Sequence, residues 1–253
     1  TYCRDWKEEQ YKDFYAQLRA GKVATTSQIT PFVYATTFEP VLQSGKDVLY
    51  ICFSSGLSGT IESARLVASD LMEKYPGRKV ICVDSLGATF GEGLAVITAA
   101  QKCAEGADIE TCAKWVEDNL QHNCHWFTVD DLNHLKRGGR VSGAAAFFGT
   151  MLNIKPVLHV DDAGHLIPME KVRGRKASLD ALVAHMEKDA VDPASQTVFI
   201  SHGDCRADAE YVADLVREKF GTQDIRIHSI GPVIGSHSGP GTVALFYLGR
   251  TRG

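Results

Sequence analysis

The chain has 253 residues, a formal charge of −4 at pH 7, 44% hydrophobic residues and 23% charged ones. That length builds one large domain or two modest ones, and the acidic balance excludes general nucleic-acid binding, which needs a basic surface to displace phosphate counterions. No apolar run approaches the about 20 residues that a membrane span requires. The chain starts at Thr1-Tyr2-Cys3, with neither an initiating Met nor the apolar core of a signal peptide, so the natural protein is expected to begin earlier.

Tyr11, Phe14, Tyr15 and Leu18 recur at helical spacing, which predicts a helix over Glu8–Ala20 that Gly21 ends. The polar run Thr25-Thr26-Ser27-Gln28 carries cap chemistry just ahead of Pro31, and a second helix runs from there through Phe38 and Leu42 to a stop near Gly45. Val48–Phe53, Lys79–Val83 and His125–Val129 are expected strands. They alternate with expected helices at Thr60–Tyr75, Gly91–Glu105 and Ile109–Leu120. This rhythm implies a parallel sheet covered on both faces, with ligands at the carboxyl ends of the strands.

The second half has a different grammar. Pro156–Val160 and His165–Met169 flank the turn Asp161-Asp162-Ala163-Gly164 and predict a β-hairpin. A helix over Ser178–Lys188, a strand at Thr197–Ser201, a helix at Ala207–Phe220 and strands at Ile225–Ser229 and Val243–Leu248 follow. The expected fold class is therefore α/β in two lobes: a parallel-sheet α/β lobe over residues 1–150, then a smaller α+β lobe with a mostly antiparallel sheet over 151–253. The boundary is expected within Arg140–Pro156.

Seven cysteines, odd in number and without a C-x-x-C pair, read as free thiols, several of them in apolar runs, rather than a disulfide framework. The tightest metal-like group is His122, Cys124 and His125. Strand alternation would send Cys124 and His125 to opposite faces, so no metal is expected.

Three segments carry candidate chemistry. Ser54-Ser55-Gly56-Leu57-Ser58-Gly59-Thr60 ends a strand and opens a helix, so its spare amides favour an anion, and the hydroxyls of Ser55, Ser58 and Thr60 are further donors. The alternative is that one serine simply caps the helix. The run has no glycine after Ser58-Gly59 to make a nucleophile elbow and no Gly-Lys-Ser/Thr to make a P-loop. The second segment is Gly231–Gly241, where four glycines and two prolines hold His237 in an expected tight loop. The third is a basic stretch of Lys136, Arg137, Arg140, Lys155, Lys171, Arg173, Arg175 and Lys176. It is either a solvated surface or the face for an anionic or protein partner.

At these residues the chain resembles the DegV family, the fatty-acid-binding subunits of bacterial fatty acid kinase. The resemblance runs from about Glu8 to Arg252. It rests on Thr26-Ser27-Gln28, Ser54–Thr60, Asp84-Ser85, Asp130-Asp131-Leu132, Gly138–Ser142, Asn153-Ile154-Lys155-Pro156, Lys171-Val172-Arg173 and Gly235–Gly241. It implies a cytoplasmic lipid-binding protein, non-catalytic by itself, with an acyl chain in a tunnel. No cofactor is implied beyond the bound long-chain fatty acid. A separate ATP-dependent kinase subunit would phosphorylate the carboxylate for phospholipid synthesis, and transient membrane contact is compatible with that role. By the same resemblance Thr26, Ser58, Ser55 and His237 bind the carboxylate, Gly56, Gly59 and Gly239 support the site, and Arg173 docks the kinase. Members usually start with a strand and an Asp-Ser-Thr-like turn, and that first segment is absent here.

A carrier needs little more. About 0.8 kcal/mol per buried methylene gives a C16 chain roughly 11 kcal/mol before association costs, leaving the head-group residues to orient the carboxylate. Ala144–Phe148, Met151 and Leu152 are candidate tunnel walls or ordinary core. Two rival readings stand beside this one: a lipid hydrolase or transferase using Ser58 and His237, and a small-molecule binder resembling the dihydroxyacetone kinases.

Overall fold

The structure, a computed structural model, describes residues 6–141 and 153–253. It forms two compact units. One is Ser27–Gln121; the other joins Thr26 and the residues before it to His122–Gly253.

In the first unit α2 (Pro31–Gln43), β1 (Val48–Cys52), α3 (Thr60–Lys74), β2 (Val80–Asp84), α4 (Phe90–Ala104) and α5 (Ile109–Asn119) follow in order, after α1 (Glu8–Arg19) of the other unit. β1 and β2 pair in parallel from Val48↔Val80 to Cys52↔Asp84. Tyr34, Phe38 and Leu42 of α2 pack with Ala64, Val67, Ala68 and Leu71 of α3 on one face of this sheet. Ala95 and Ala99 of α4 and Ala113 and Val116 of α5 pack with Ile51 and Val83 on the other. Covering both faces explains why the strands read as unbroken apolar runs.

The second unit holds a six-stranded sheet in the order β5-β4-β3-β8-β6-β7, built from β3 (Asn123–Thr128), β4 (Ile154–Val160), β5 (Leu166–Arg173), β6 (Val198–His202), β7 (Ile225–Ser229) and β8 (Val243–Leu248). All its pairings are antiparallel except β6 with β7. α7 (Arg175–Asp189) and α8 (Arg206–Phe220) bury Leu182, Met186, Val212 and Val216 against Trp126, Ile200, Leu245 and Tyr247 on one face. Each such side chain contributes about 1.5–3 kcal/mol. By strand alternation and register the opposite face carries Leu158, Phe127 and Ala244 in one cross-strand row and His125, Phe246 and Phe199 in the next. All six are buried.

The fold class is as expected: a parallel-sheet unit and a mostly antiparallel one. The division of the chain is not at residue 150, however, and the antiparallel unit is the larger. β3 was expected to extend the parallel sheet. Instead it lies between β4 and β8, matching Asn123–Thr128 antiparallel to Val243–Leu248. A short apolar strand does not encode its partner, and this one pairs with the last strand of the chain. The hairpin stands where it was expected: Asp161 Oδ1 accepts from the amides of Ala163 and His165, and Gly164 takes φ +80°. Two short helices were not foreseen, α6 (Asn133–Gly138) and α9 (Pro232–Ser238). The glycine-rich segment thus coils rather than loops. Pro232 sits at its start, Ser236 Oγ donates to the Pro232 carbonyl, and Gly239 at φ +79° ends it.

The thiols are free at Cys52, Cys82, Cys103, Cys112, Cys124 and Cys205, of which Cys103 alone is exposed; Cys3 lies outside the described residues. Cys124 faces the α7–α8 core while its neighbour His125 points to the opposite face, as alternation requires. No helix among the described residues is long and apolar enough to cross a membrane.

Candidate functional site

In the parallel-sheet unit the strands end in two interlocked loops. Asp84, the last residue of β2, uses one carboxylate to accept from the amides of Ser55 (3.2 Å) and Leu86 (3.0 Å). Ser54 N donates to Gly87 O, and Ser85 N to Cys52 O, each at 2.9 Å. Gly56 N donates to Ser54 Oγ (3.1 Å), and the amides of Leu57 and Ser58 to Ser54 O. Ser54 and Ser85 are fully buried, so both are consumed in holding the turn.

The turn delivers Gly59 as the N-cap of α3, with no side chain capping the helix. That answers the capping alternative, since neither Ser55 nor Ser58 is spent on the cap. Ser58 is half-buried and Ser55 exposed, and neither hydroxyl bonds a described residue. The amides of Gly59, Thr60 and Ile61 find no backbone acceptor among the described residues, as at any uncapped helix start. The result is a patch of uncharged donors at the positive end of a helix dipole, which suits a carboxylate. A side chain at Gly59 would stand 3.2 Å from Gln28 Nε2, so glycine keeps the approach open.

Thr60 departs from expectation. Its hydroxyl is buried and shares a 2.8 Å hydrogen bond with Tyr34 OH, which in turn meets Tyr50 OH at 3.1 Å. Packing of α2 on α3 turns it inward, away from any ligand. Near the same strand ends, Glu92 in the first turn of α4 is desolvated, and burial pushes its carboxyl up to about 7.

In the other unit, Thr26 Oγ1 lies 2.8 Å from His237 Nε2, an approach between residues 211 positions apart. Burial and the nearby Arg140 charge hold the imidazole below its ordinary pKa, so it is neutral at pH 7. α6 packs so tightly on α9 that a Cβ at Gly138 would stand 2.3 Å from His237 Nδ1. Gly239 is needed twice over: its φ is +79°, and a Cβ would collide with the His134 ring. The expected polar cap run Thr25–Gln28 does not cap α2. Thr30 holds that position without a side-chain bond, which leaves Thr26 for His237.

The hydrolase reading required His237 to act as a base for Ser58. The ring's Nε2 is occupied by Thr26, and the charge that shifts its pKa is the arginine Arg140 rather than a carboxylate. An imidazole so placed lacks the oriented acid that general-base activation of serine uses.

The basic stretch divides. Lys155 pairs with Asp130 (2.9 Å), Arg175 with Asp208 (2.8 Å) and Lys176 with Asp180 (3.3 Å). Arg137 Nη2 meets His134 Nδ1 at 2.9 Å. Arg173, at the end of β5, is exposed and has no partner among the described residues. The tunnel candidates Ala144–Phe148, Met151 and Leu152 lie outside the described residues, as does Ser142. Sequence reading saw Asp84 only as part of a motif. Its role as the clamp of both loops depends on cross-strand geometry. We expect Asp84→Asn to weaken anion binding about tenfold while costing about 1–2 kcal/mol of stability, by urea unfolding and ligand titration.

The DegV family model, described as an uncharacterised protein family, matches residues 2–250. A DegV domain-containing protein of Clostridium perfringens is 48% identical over 241 residues, covering 95% of this chain and 83% of that protein. Among solved structures, a DegV lipid-binding protein of Thermotoga maritima superposes with a TM-score of 0.85 at 30% identity, covering 98% of this chain and 85% of that one. DegV of Bacillus subtilis, described as a fatty acid binding protein, gives 0.82 at 29% identity, covering 95% and 84%. With matching fold, loop motifs and near-complete coverage, the chain belongs to the DegV family.

Proposed function

We propose that this protein is a cytoplasmic carrier of one long-chain fatty acid, a non-catalytic subunit that presents the carboxylate to an ATP-dependent fatty acid kinase. The observation that carries the reading is the helix start at Gly59, where spare amides and the hydroxyls of Ser55 and Ser58, which bond no described residue, form a donor patch. Likeness to fatty-acid-binding DegV proteins at 29–30% identity supports the choice of ligand. We assign carboxylate binding to Ser58 and Ser55 in the one unit and to Thr26 and His237 in the other. Gly56, Gly59 and Gly239 support the loops.

The tail supplies the affinity. The buried apolar face of the six-stranded sheet, with Phe127, Leu158, Ala244 and Phe246, is the wall we assign to it. Ala244→Leu is then expected to shift the preferred acyl chain toward shorter acids, read by mass spectrometry of ligand retained from an equimolar mixture; an unchanged profile removes this face from the wall. Arg173, exposed and unpartnered among described residues, is assigned to kinase docking.

The test begins with native mass spectrometry of protein purified from bacteria, which should show a co-purified acid of acyl mass. Ser58→Ala and Thr26→Val should each weaken binding of palmitate to the delipidated protein about 10- to 100-fold, the effect of one hydrogen bond to a charged group at about 1.5–3 kcal/mol. Delipidated wild-type protein that takes up no fatty acid would overturn the reading. Arg173→Ala should spare lipid binding and slow acyl-phosphate formation by the added kinase.

A further inference from the structure

Gly59, the N-cap of α3, has φ −72°, an angle open to any residue, so its backbone does not by itself require glycine. What glycine leaves there is room. A Cβ would stand 3.2 Å from Gln28 Nε2, and apart from its chain neighbours no other described group lies within 4 Å of that point. The Gln28 head group therefore sits over the helix start, where the amides of Gly59, Thr60 and Ile61 find no backbone acceptor among the described residues. Gln28 is exposed, and its side-chain amide hydrogen-bonds no described residue.

Local structure carries Gln28 to that place. Thr30 caps α2 in an extended conformation and Pro31 opens the helix, so the chain enters α2 in a fixed direction. α2 is in turn locked onto α3. Tyr34 OH lies 2.8 Å from Thr60 Oγ1, and Tyr34, Phe38 and Leu42 pack with Ala64, Val67 and Leu71. Gln28, two residues ahead of the α2 cap, belongs to the same compact unit as Ser55, Ser58 and Gly59. We infer that Gln28 is a further carboxylate-binding residue: its side-chain amide donates to the same head group as the helix amides and selects an ionised acid over an uncharged lipid.

The inference rests on the carrier reading and gives its head-group site a selectivity. An ionised carboxylate only accepts hydrogen bonds and has about four lone-pair positions to fill, which the helix amides, the serine hydroxyls and the Gln28 N–H groups can share. An alcohol lacks the charge that makes such bonds roughly twice as strong. An amide side chain also carries no charge of its own, so in the free protein it needs no counter-ion. Glutamate at the same place would have the same length and the opposite effect. Its own carboxylate would take the spare amides at the positive end of the helix and exclude the ligand's.

The experiment titrates palmitate and, separately, hexadecanol into the delipidated full chain at pH 8, and follows thermal unfolding of the ligand-free protein alongside. Gln28→Ala should weaken palmitate binding about tenfold and leave hexadecanol binding within about twofold of wild type. Gln28→Glu should weaken palmitate binding by about 100-fold, spare hexadecanol, and raise the unfolding temperature of the ligand-free protein. A residue of merely structural importance would not lose the acid alone while gaining stability. Palmitate binding unchanged in both variants, or lost in parallel with hexadecanol, overturns the assignment, while uptake of palmitate by the wild type keeps the carrier reading. A wild type that takes up no palmitate overturns that reading and this inference with it.

Discussion

Glutamine at position 92 is expected to make the protein more stable at pH 8 by about 3 kcal/mol, and at pH 4.5 by only about 0.4 kcal/mol. The cause is desolvation. Glu92 begins α4 with its carboxyl raised from 4.5 to about 7, and burial is the cause of that shift. An unfolded chain releases this proton near pH 4.5, whereas the folded one keeps it until about 7. Between those values the folded state binds the extra proton, so stability falls as pH rises through the window. Above it the full cost of a buried charge remains. Glutamine has the same shape and no charge, and so removes the cost only where glutamate would ionise. Urea unfolding at the two pH values measures this. An equal gain at both would show that Glu92 destabilises for some other reason, such as shape.

Tyr15→Ala is expected to destabilise the antiparallel unit by about 3–5 kcal/mol, and Tyr15→Phe by about 1 kcal/mol. The ring is fully buried, and its hydroxyl donates to Ile230 O at 2.9 Å, so it ties α1 to the segment that starts α9. The fit leaves no slack. A Cβ at Gly235 of α9 would stand 2.5 Å from the Tyr15 hydroxyl, and one at Gly203 would stand 3.3 Å from its ring. Removing the ring leaves a cavity beneath the helix that positions His237, whereas removing the hydroxyl alone leaves one carbonyl without its donor. Hydrogen exchange should then accelerate at the amides of Gly235 and Gly239 in the alanine variant and change little in the phenylalanine one. Unaltered exchange in the alanine variant would mean that α9 is held without Tyr15.

Much of the secondary structure was legible from local pattern. Helical spacing in α1 and α3, apolar runs at β1 and β2, and the switch from strand to helix at Ser54–Thr60 each depend on neighbours a few residues away. What was misread depended on distant partners. The run His125–Val129 is a good strand, but nothing within it says that Val243–Leu248 will pair with it from the far end of the chain, and that pairing moves the boundary between units. Gly231–Gly241 is rich enough in glycine and proline to suggest a loop, and only packing against α1 and α6 makes its centre a helix.

The candidate site divides the same way. Sequence by itself determined the donor-rich helix start and the glycines around His237, because spare amides and open φ angles are local properties. Tertiary structure alone decided that Thr26 meets His237, that Thr60 turns inward to Tyr34, and that Asp84 clamps both loops. Each of those is a side-chain contact that packing brings together. Its energy depends on distance in space, and distance along the chain does not report it.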